Sequence, residues 1–337
     1  MAKTAIGLDI TPSSVRAAQV RVDSKSSTVV ALAEQSLFPG VVTTNGVADP
    51  GALAAALRTL WSSFKIKGKD VILGVGGQRV VVRTATVTWM PPKDLKGALS
   101  LYVADVVPFD VNEAVLDYVI SGETTDDEGN RLYTGILTGA PEEYLTDFVD
   151  AVQDAGLTVK SIDVNAFALL RAIVPPIPPG YLVAEAVVHV GHQSTQVVVH
   201  INGRPELVRD LPLGSDAAGG AEAYPGFGGP GEGQPPPPPA PVTRQDIEPL
   251  VEEIITTLGF YQSGDDTMPL QRVLLVGSGS QLPGLDYAIS SGTNLPVAHD
   301  AAWLSLPRDP ATASDDAVRM IGSHMAIAVG LGLGVGL

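Results

Sequence analysis

One pattern constrains this chain more than any other: the order strand, strand, strand, helix, strand occurs twice. In the first copy, residues 5–10, 15–22 and 28–33 are short runs rich in Val, Ile and Ala, with turn residues between them. Asp49 suits a helix N-cap and Pro50 the first helical position. Leu53, Leu57, Leu60, Trp61 and Phe64 then recur on one helical face, and residues 70–75 read as a strand. In the second copy, residues 184–190 and 195–201 are apolar runs, and Asn202-Gly203 is a hairpin turn into residues 204–211. A helix over 245–261 carries Ile247, Leu250, Val251, Ile254 and Leu258 on one face, and 272–276 closes the unit as a strand. The first hairpin of each copy falls at the same place, Asp9 to Ser14 in one and His189 to Ser194 in the other. Such self-similarity predicts two lobes of one architecture.

The stretch between Gly76 and Gly156 is more than the duplication needs. Residues 78–89 alternate like a strand, Leu95, Leu99 and Val103 mark a helix, and 114–120 and 131–138 read as two further strands. A helix starting at Pro141, with Glu142 and Glu143 favourable in its first turn, turns Leu145, Phe148, Val149 and Val152 inward and stops at Gly156. The expected division is a first lobe from 1–77 and 157–180, an inserted α+β subdomain from 78–156, and a second lobe from 181–337. Within the second lobe, residues 217–242 hold five consecutive prolines and many glycines, a composition that predicts a mobile loop.

The net charge of −16, with no basic cluster, argues against a nucleic-acid partner. There is no cysteine, which excludes disulfides and thiolate metal sites and accords with a reducing compartment. The first residues lack the charged and apolar regions of a signal peptide. The apolar run 326–337 is too short to span a bilayer and is rich in Gly, so a packed terminal helix with a frayed end is expected. These features point to a cytoplasmic protein. His189 and His192 invite a metal-pair reading, but no third ligand accompanies them, and a structural or solvated role is preferred.

Duplicated units of this order typify the actin, sugar-kinase and chaperone ATPase fold. The expected class is therefore α/β, an actin-like (ribonuclease-H-like) duplicated fold with a small α+β insertion. Proteins of this fold hold ATP between their halves. Tight hairpins turn backbone N–H groups and hydroxyls toward the phosphates, and a carboxylate at a strand end holds hydrated Mg2+. Three segments suit those tasks. In the first, Asp9 ends a strand as the Mg2+ holder through water, Thr11, Ser13 and Ser14 fill the turn, and Arg16 returns as a phosphate-facing cation. In the second, Gly191 permits close backbone approach, with Ser194 and Thr195 as hydroxyl donors. In the third, a strand runs into Gly277, Ser278, Gly279 and Ser280, then a Leu-Pro-Gly-Leu helix start.

Residues 7–16, 108–118, 156–172, 202–205, 210–214 and 277–285 together resemble the PilM family of type IV pilus assembly proteins, over nearly the whole chain outside the proline-rich stretch. The segment around Pro108, Phe109 and Asp117 carries most of that resemblance. The resemblance implies an ATP-binding adaptor at the inner face of the cytoplasmic membrane, reached through partners. It implies docking of the cytoplasmic tail of a PilN-like bitopic membrane protein near Val106, Pro108, Phe109, Asp110 and Glu113, and contact with other pilus platform proteins. Self-association stays open. It also places Glu253 near the ribose. The chain departs from the family at Thr11 and Arg16, where Gly and Lys are usual. It departs again at His189, where Asp is usual, and at Ile255 and Thr256, which replace basic residues. The loss of a carboxylate at 189 sets hydrolysis in doubt more than binding, so at most weak ATPase activity is expected. Competing readings are a membrane-associated cell-division actin homologue, a nucleotide-free scaffold and an actin-fold kinase.

Overall fold

The computed structural model describes residues 3–335 except 25, 65, 105, 179, 219–242, 266 and 300. The proline-rich stretch thus lies outside the described residues, apart from 217 and 218, which end a short 3-10 turn.

The first unit comprises β1 (Lys3–Ile10), β2 (Ser14–Val22) and β3 (Ser27–Ser36), a small hairpin of β4 (Val42–Thr43) and β5 (Gly46–Val47), then α1 (Pro50–Phe64) and β6 (Asp70–Val75). The insertion follows with β7 (Val81–Thr88), α2 (Pro92–Val103), β8 (Ala114–Thr125) and β9 (Arg131–Pro141). The chain returns through α3 (Glu142–Asp154), β10 (Thr158–Val164) and α4 (Asn165–Ile173). The second unit is β11 (Ala184–Val190), β12 (Thr195–Ile201), β13 (Arg204–Leu211), α5 (Arg244–Gln262), β14 (Val273–Val276), α6 (Leu285–Thr293) and β15 (Val297–Ala298). Helices α7 (Asp315–Ile321) and α8 (Ala326–Leu333) complete the chain.

The two large sheets have matching orders, β10-β6-β1-β2-β3 and β13-β12-β11-β14-β15 read from opposite ends. In each, the first strand pairs antiparallel with the second and parallel with the strand after the helix. The expected duplication is therefore present strand for strand. Several elements escaped the sequence reading, among them α4, α7, β15, the β4–β5 hairpin and β10. The β4–β5 hairpin has strands of two residues, below what periodicity can register. Strand β10 has a mostly exposed or half-buried pattern that lacks an apolar signature.

Side-chain alternation assigns each sheet two apolar faces. Ile6, Leu8 and Val71 point toward α1 and α3, whereas Ala18, Val20 and Leu32 join Leu169, Ile327 and Leu331 of α4 and α8. Val187, Val198 and Leu274 reach that same central cluster from the second sheet, whose other face packs on α5 and α6. The result is five layers, with α4 and α8 sandwiched between the sheets. Helix α8 is apolar all round because nearly all of it is buried, the circumstance in which an amphipathic pattern disappears. Its glycines allow the contact: a Cβ on Gly330 would stand 1.8 Å from the Ala168 carbonyl oxygen.

The insertion has its own core of Val81, Val87, Leu95, Leu99, Val103, Tyr133 and Leu137. Its sheet runs β7-β9-β8, all antiparallel, with α2 against β8. Helix α3 ends as its sequence suggests, with Gly156 at φ +81° and its N–H donating to the Gln153 carbonyl.

Candidate functional site

A cleft of about 1030 Å³, including its open mouth, lies where the two duplicated hairpins face each other. From the first lobe come Asp9, Thr11, Ser13 and Arg16, and from the second His189, Gly191, His192 and Ser194. The β4–β5 hairpin adds Thr43, the turn after β6 adds Gly76 and Gly77, and α4 begins in the cleft at Asn165. Gln196 and Asp210, partners across the β12–β13 register, form a further wall.

The first hairpin is built around a buried ionic cluster. Thr11 Oγ1 donates to the Ser14 carbonyl at 3.0 Å and accepts from the Ser14 N–H at 3.1 Å, which locks the turn. Arg16 Nη1 donates to Asp9 Oδ2 at 3.4 Å and its Nε donates to Glu34 Oε1 at 2.7 Å. Ser14 Oγ donates to the same Glu34 oxygen at 3.1 Å, and His324 Nδ1 lies 3.1 Å from Glu34 Oε2. Burial works against ionisation of Glu34, but the His324 hydrogen bond and the Arg16 charge outweigh it and hold the carboxyl at about 2. Burial pushes Asp9 up, against the pull of Arg16. Arg16 lines the cleft, yet its guanidinium is engaged by two carboxylates, which corrects the reading of it as a freely phosphate-facing cation. Ser14 likewise bonds Glu34 and does not line the cleft.

The second hairpin has the same backbone and different chemistry. Gly191 N–H donates to the Ser194 carbonyl at 2.9 Å to close the turn. His189 is buried, and that burial, aided by the Arg16 charge, drives its pKa down to about 3, so the imidazole is neutral. Burial raises Asp210 to about 6, although it accepts from Gln196 Nε2 at 3.1 Å and from the Gly77 backbone. Thr195 is fully buried at the start of β12, outside the cleft wall.

The third segment sits behind this wall. Residues Ser278–Gln281 form a 3-10 turn, and Gly277 takes φ +95° with its missing Cβ only 2.4 Å from the Val190 carbonyl oxygen. Gly279 is similarly tight against the Val190 side chain, so these glycines serve close packing on the end of β11. Gly277, Ser278, Gly279 and Ser280 do not line the cleft, nor does Glu253, which is half-buried on α5.

Four cleft-lining side chains carry buried polar atoms without a protein partner: Asp9 Oδ1, Asn165 Oδ1, His189 Nε2 and Gln196 Oε1. Buried polar atoms rarely go unsatisfied, and each costs about 1–3 kcal/mol when left so. Gln196, Glu34 and His324 had drawn no attention in the sequence, and Asn165 stood in the run 156–172 that carried the resemblance, without an assigned role. Asp210 stood in a run that carried the resemblance, without an assigned role.

Two further concavities flank the insertion. One lies between it and α3, lined by Phe109, Asp110, Glu113, Glu143 and Asp147 with Arg79. There Asp110 caps a 3-10 turn by accepting from the Asn112 N–H at 2.9 Å, and Glu113 is exposed. Val106 and Phe109 are half-buried against the insertion core and Pro108 is exposed. The other is mainly apolar and lies between the sheet of the insertion (Val119, Ile136), α4 (Phe167, Leu170) and the Asn202-Gly203 turn. No helix among the described residues is long and apolar enough to cross a membrane.

With this geometry in place, comparison with known proteins is informative. The chain is similar to a solved PilM-PilN type IV pilus biogenesis complex, at 22% identity over 98% of this chain and 97% of that one, with a TM-score of 0.77. It is also similar to the ethanolamine utilization protein EutJ from Carboxydothermus hydrogenoformans, at 13% identity over 98% and 89% of the two chains, with a TM-score of 0.51. These likenesses agree with the duplicated topology in giving an actin-like fold. The model of the family described as type IV pilus assembly protein PilM matches residues 7–219, more than half of the sequence. On that match, and on a fold that agrees with it, the chain belongs to the PilM family of type IV pilus assembly proteins.

Proposed function

We propose that this protein is a nucleotide-binding adaptor of a type IV pilus assembly platform, holding ATP between its lobes and docking the cytoplasmic tail of a PilN-like membrane protein at its insertion. The observation that carries the nucleotide half is that four side chains lining one cleft each hold a buried polar atom without a protein partner. The duplicated hairpins present Thr11, Ser13, Gly191 and Ser194 there, and Asn165 adds an amide. The unpartnered Oδ1 of Asp9 suits a water of hydrated Mg2+, an ion usually held by one or two carboxylates together with substrate phosphates. When bound, Mg2+ would offset phosphate charge. The chain itself supplies position and exclusion of water. With neutral His189 opposite Asp9, the second hairpin lacks an anionic base, and binding without brisk turnover is the expected behaviour.

For the adaptor half, family membership supplies the partner class and the insertion supplies the surface. The groove beside Phe109, Asp110, Glu113, Glu143 and Asp147 suits an extended tail with basic residues, through charge complementarity that speeds encounter. The apolar groove at Val119, Phe167 and Leu170 would receive apolar residues of the same tail. Binding through such a tail would bring the protein to the inner face of the cytoplasmic membrane.

Calorimetry tests both halves. ATP with Mg2+ should bind to the full chain, and Asp9→Ala should weaken that binding. A synthetic PilN-like tail should bind and lose affinity with charge reversal at Asp110 and Glu113, or with Phe167→Ala, at unchanged thermal stability. Absence of ATP binding leaves a nucleotide-free scaffold, and a tail indifferent to every such substitution refutes docking at the insertion.

A further inference from the structure

We propose that Asp210 sets the charge selectivity of the cleft: it turns away a bare polyphosphate, so that a nucleotide enters only as its metal complex. This rests on the nucleotide reading above and narrows the class of ligand at that site.

The two sheets carry matching three-residue rows at the cleft. In the first, the register sets Asp9 beside Arg16 and Arg16 beside Glu34. In the second, it sets His189 beside Gln196 and Gln196 beside Asp210. Cross-strand partners project from the same face of a sheet, so each row is a line of neighbouring side chains. The first row reads acid, base, acid, and its guanidinium bonds both carboxylates. The second row keeps the acid at the matching end but has an amide in the middle. Gln196 Nε2 donates to Asp210 Oδ1 at 3.1 Å, and the Gly77 backbone N–H also donates to that carboxyl. Both are hydrogen bonds without a countercharge. Among the described residues Asp210 has no ion pair. Arg79, on the turn after Gly77, has its guanidinium 5.4 Å from the Tyr144 ring centre and donates to the Asn45 carbonyl at 3.3 Å.

The rest of the cleft supplies no spare cation. Arg16 is the one Arg or Lys among the described residues lining it, and two carboxylates engage it. His189 is neutral. His192 has a carboxylate of its own, with Nδ1 3.0 Å from Asp216 Oδ1, so any charge on that ring is matched. The hydroxyls of Thr11, Ser13 and Ser194 line the cleft as donors, but a neutral donor leaves net charge uncancelled. Asp210 is half-buried on this wall, and although burial raises its pKa to about 6, it is a carboxylate above that pH. Two strand spacings separate it from His189, a distance of about 10 Å. At such a separation one pair of like charges shifts a binding equilibrium roughly tenfold at an effective dielectric constant of about 20. A free nucleotide carries more negative charge than its metal complex and is penalised more.

The test is calorimetric titration of the full chain at about pH 8, above the Asp210 pKa, with ATP and Mg2+, with ATP and EDTA, and with adenosine. ATP in EDTA should bind at least about tenfold more weakly than ATP with Mg2+, and adenosine should bind equally in both. Asp210→Asn removes the charge and keeps the shape. It should tighten ATP with Mg2+ about threefold, ATP in EDTA about tenfold, and adenosine not at all. Gln196→Lys, which places a cation in the middle of the second row, should act in the same direction. Raising NaCl from about 0.02 M to about 0.3 M screens repulsion and should tighten binding of ATP in EDTA by the unaltered chain, a reading that needs no variant. Thermal unfolding would confirm that each variant is folded. Equal ATP affinity in Mg2+ and EDTA, ATP affinity that Asp210→Asn leaves unchanged or weakened, or adenosine tightened as much as ATP overturns the proposal and leaves the nucleotide site standing. No ATP binding by the unaltered chain or by either variant overturns both.

Discussion

The two hairpins that face each other across the cleft share a topology and differ in electrostatic design. In the first, Asp9, Arg16, Glu34 and His324 form one buried ionic cluster. In the second, the equivalent strand end carries a neutral His189 whose Nε2 has no partner, and no ionic cluster surrounds it among the described residues. Backbone pairing made the hairpins alike, since a β-ladder asks only for alternating main-chain groups. Nothing in that ladder dictates the charge of a side chain at its end. The first hairpin therefore holds its charges paired with each other, and the second places a neutral ring at the same point.

The largest effect expected from this contrast is on stability. Arg16→Met would strand Asp9 and Glu34 without their cation and should cost about 3–5 kcal/mol, read from urea unfolding at neutral pH, because removing one partner leaves a buried uncompensated charge. A loss below about 1 kcal/mol would show that the cluster is solvated and would erase the contrast. Next in size, His189→Asp would place a carboxylate in both hairpins. On the proposed function, it should raise any Mg2+-dependent ATP hydrolysis on the order of tenfold, by supplying an anionic base. Unchanged hydrolysis would mean that the neutral imidazole is not what limits turnover.

Asp210→Asn probes the second lobe more gently. The folded-state pKa of Asp210, about 6, stands above its ordinary value of 3.8. Its contribution is thus intact below about pH 4 and is lost as pH rises through about 6. Asparagine should therefore stabilise the protein by about 1 kcal/mol near pH 8 and by little near pH 4, measured as a pH-dependent rise in Tm. A uniform shift at both pH values would indicate lost hydrogen bonds to Gln196 and Gly77. The smallest effect belongs to Thr195→Val. The Thr195 hydroxyl is buried without a partner, so its removal should be neutral within about 0.5 kcal/mol or slightly stabilising, and ATP affinity should stay unchanged because Thr195 lies outside the cleft wall.

The duplicated frame was readable because each element announces itself locally. Leu53, Leu57 and Leu60 share a helix face whatever surrounds them, and Asn202-Gly203 favours a tight turn on its own. The hairpins were readable for the same reason, and with them Asp9, Thr11, Ser13, Gly191 and Ser194 as cleft residues. Misplacement began where one residue type serves two ends. The glycines at 277 and 279 permit close approach to anything, and here that partner is Val190 of the same lobe. Arg16 looked like a cation for phosphate although Asp9 faces it across the same hairpin, and its second carboxylate lies farther along the chain. Glu34 is a strand away, and His324 meets Glu34 across 290 positions.

The sequence by itself determined the repeated order of strands and helices and the hairpin turns that bring polar residues to strand ends. Periodicity, turn chemistry and capping act over a few residues, so no tertiary information is needed to read them. Only the tertiary structure decided which charges cancel and which remain available. It paired Arg16 with Asp9 and Glu34, set Asp216 behind His192, and buried α8 between the sheets. Charge and burial depend on what lies within a few ångströms in space, and chain folding sets that distance without regard to separation in sequence.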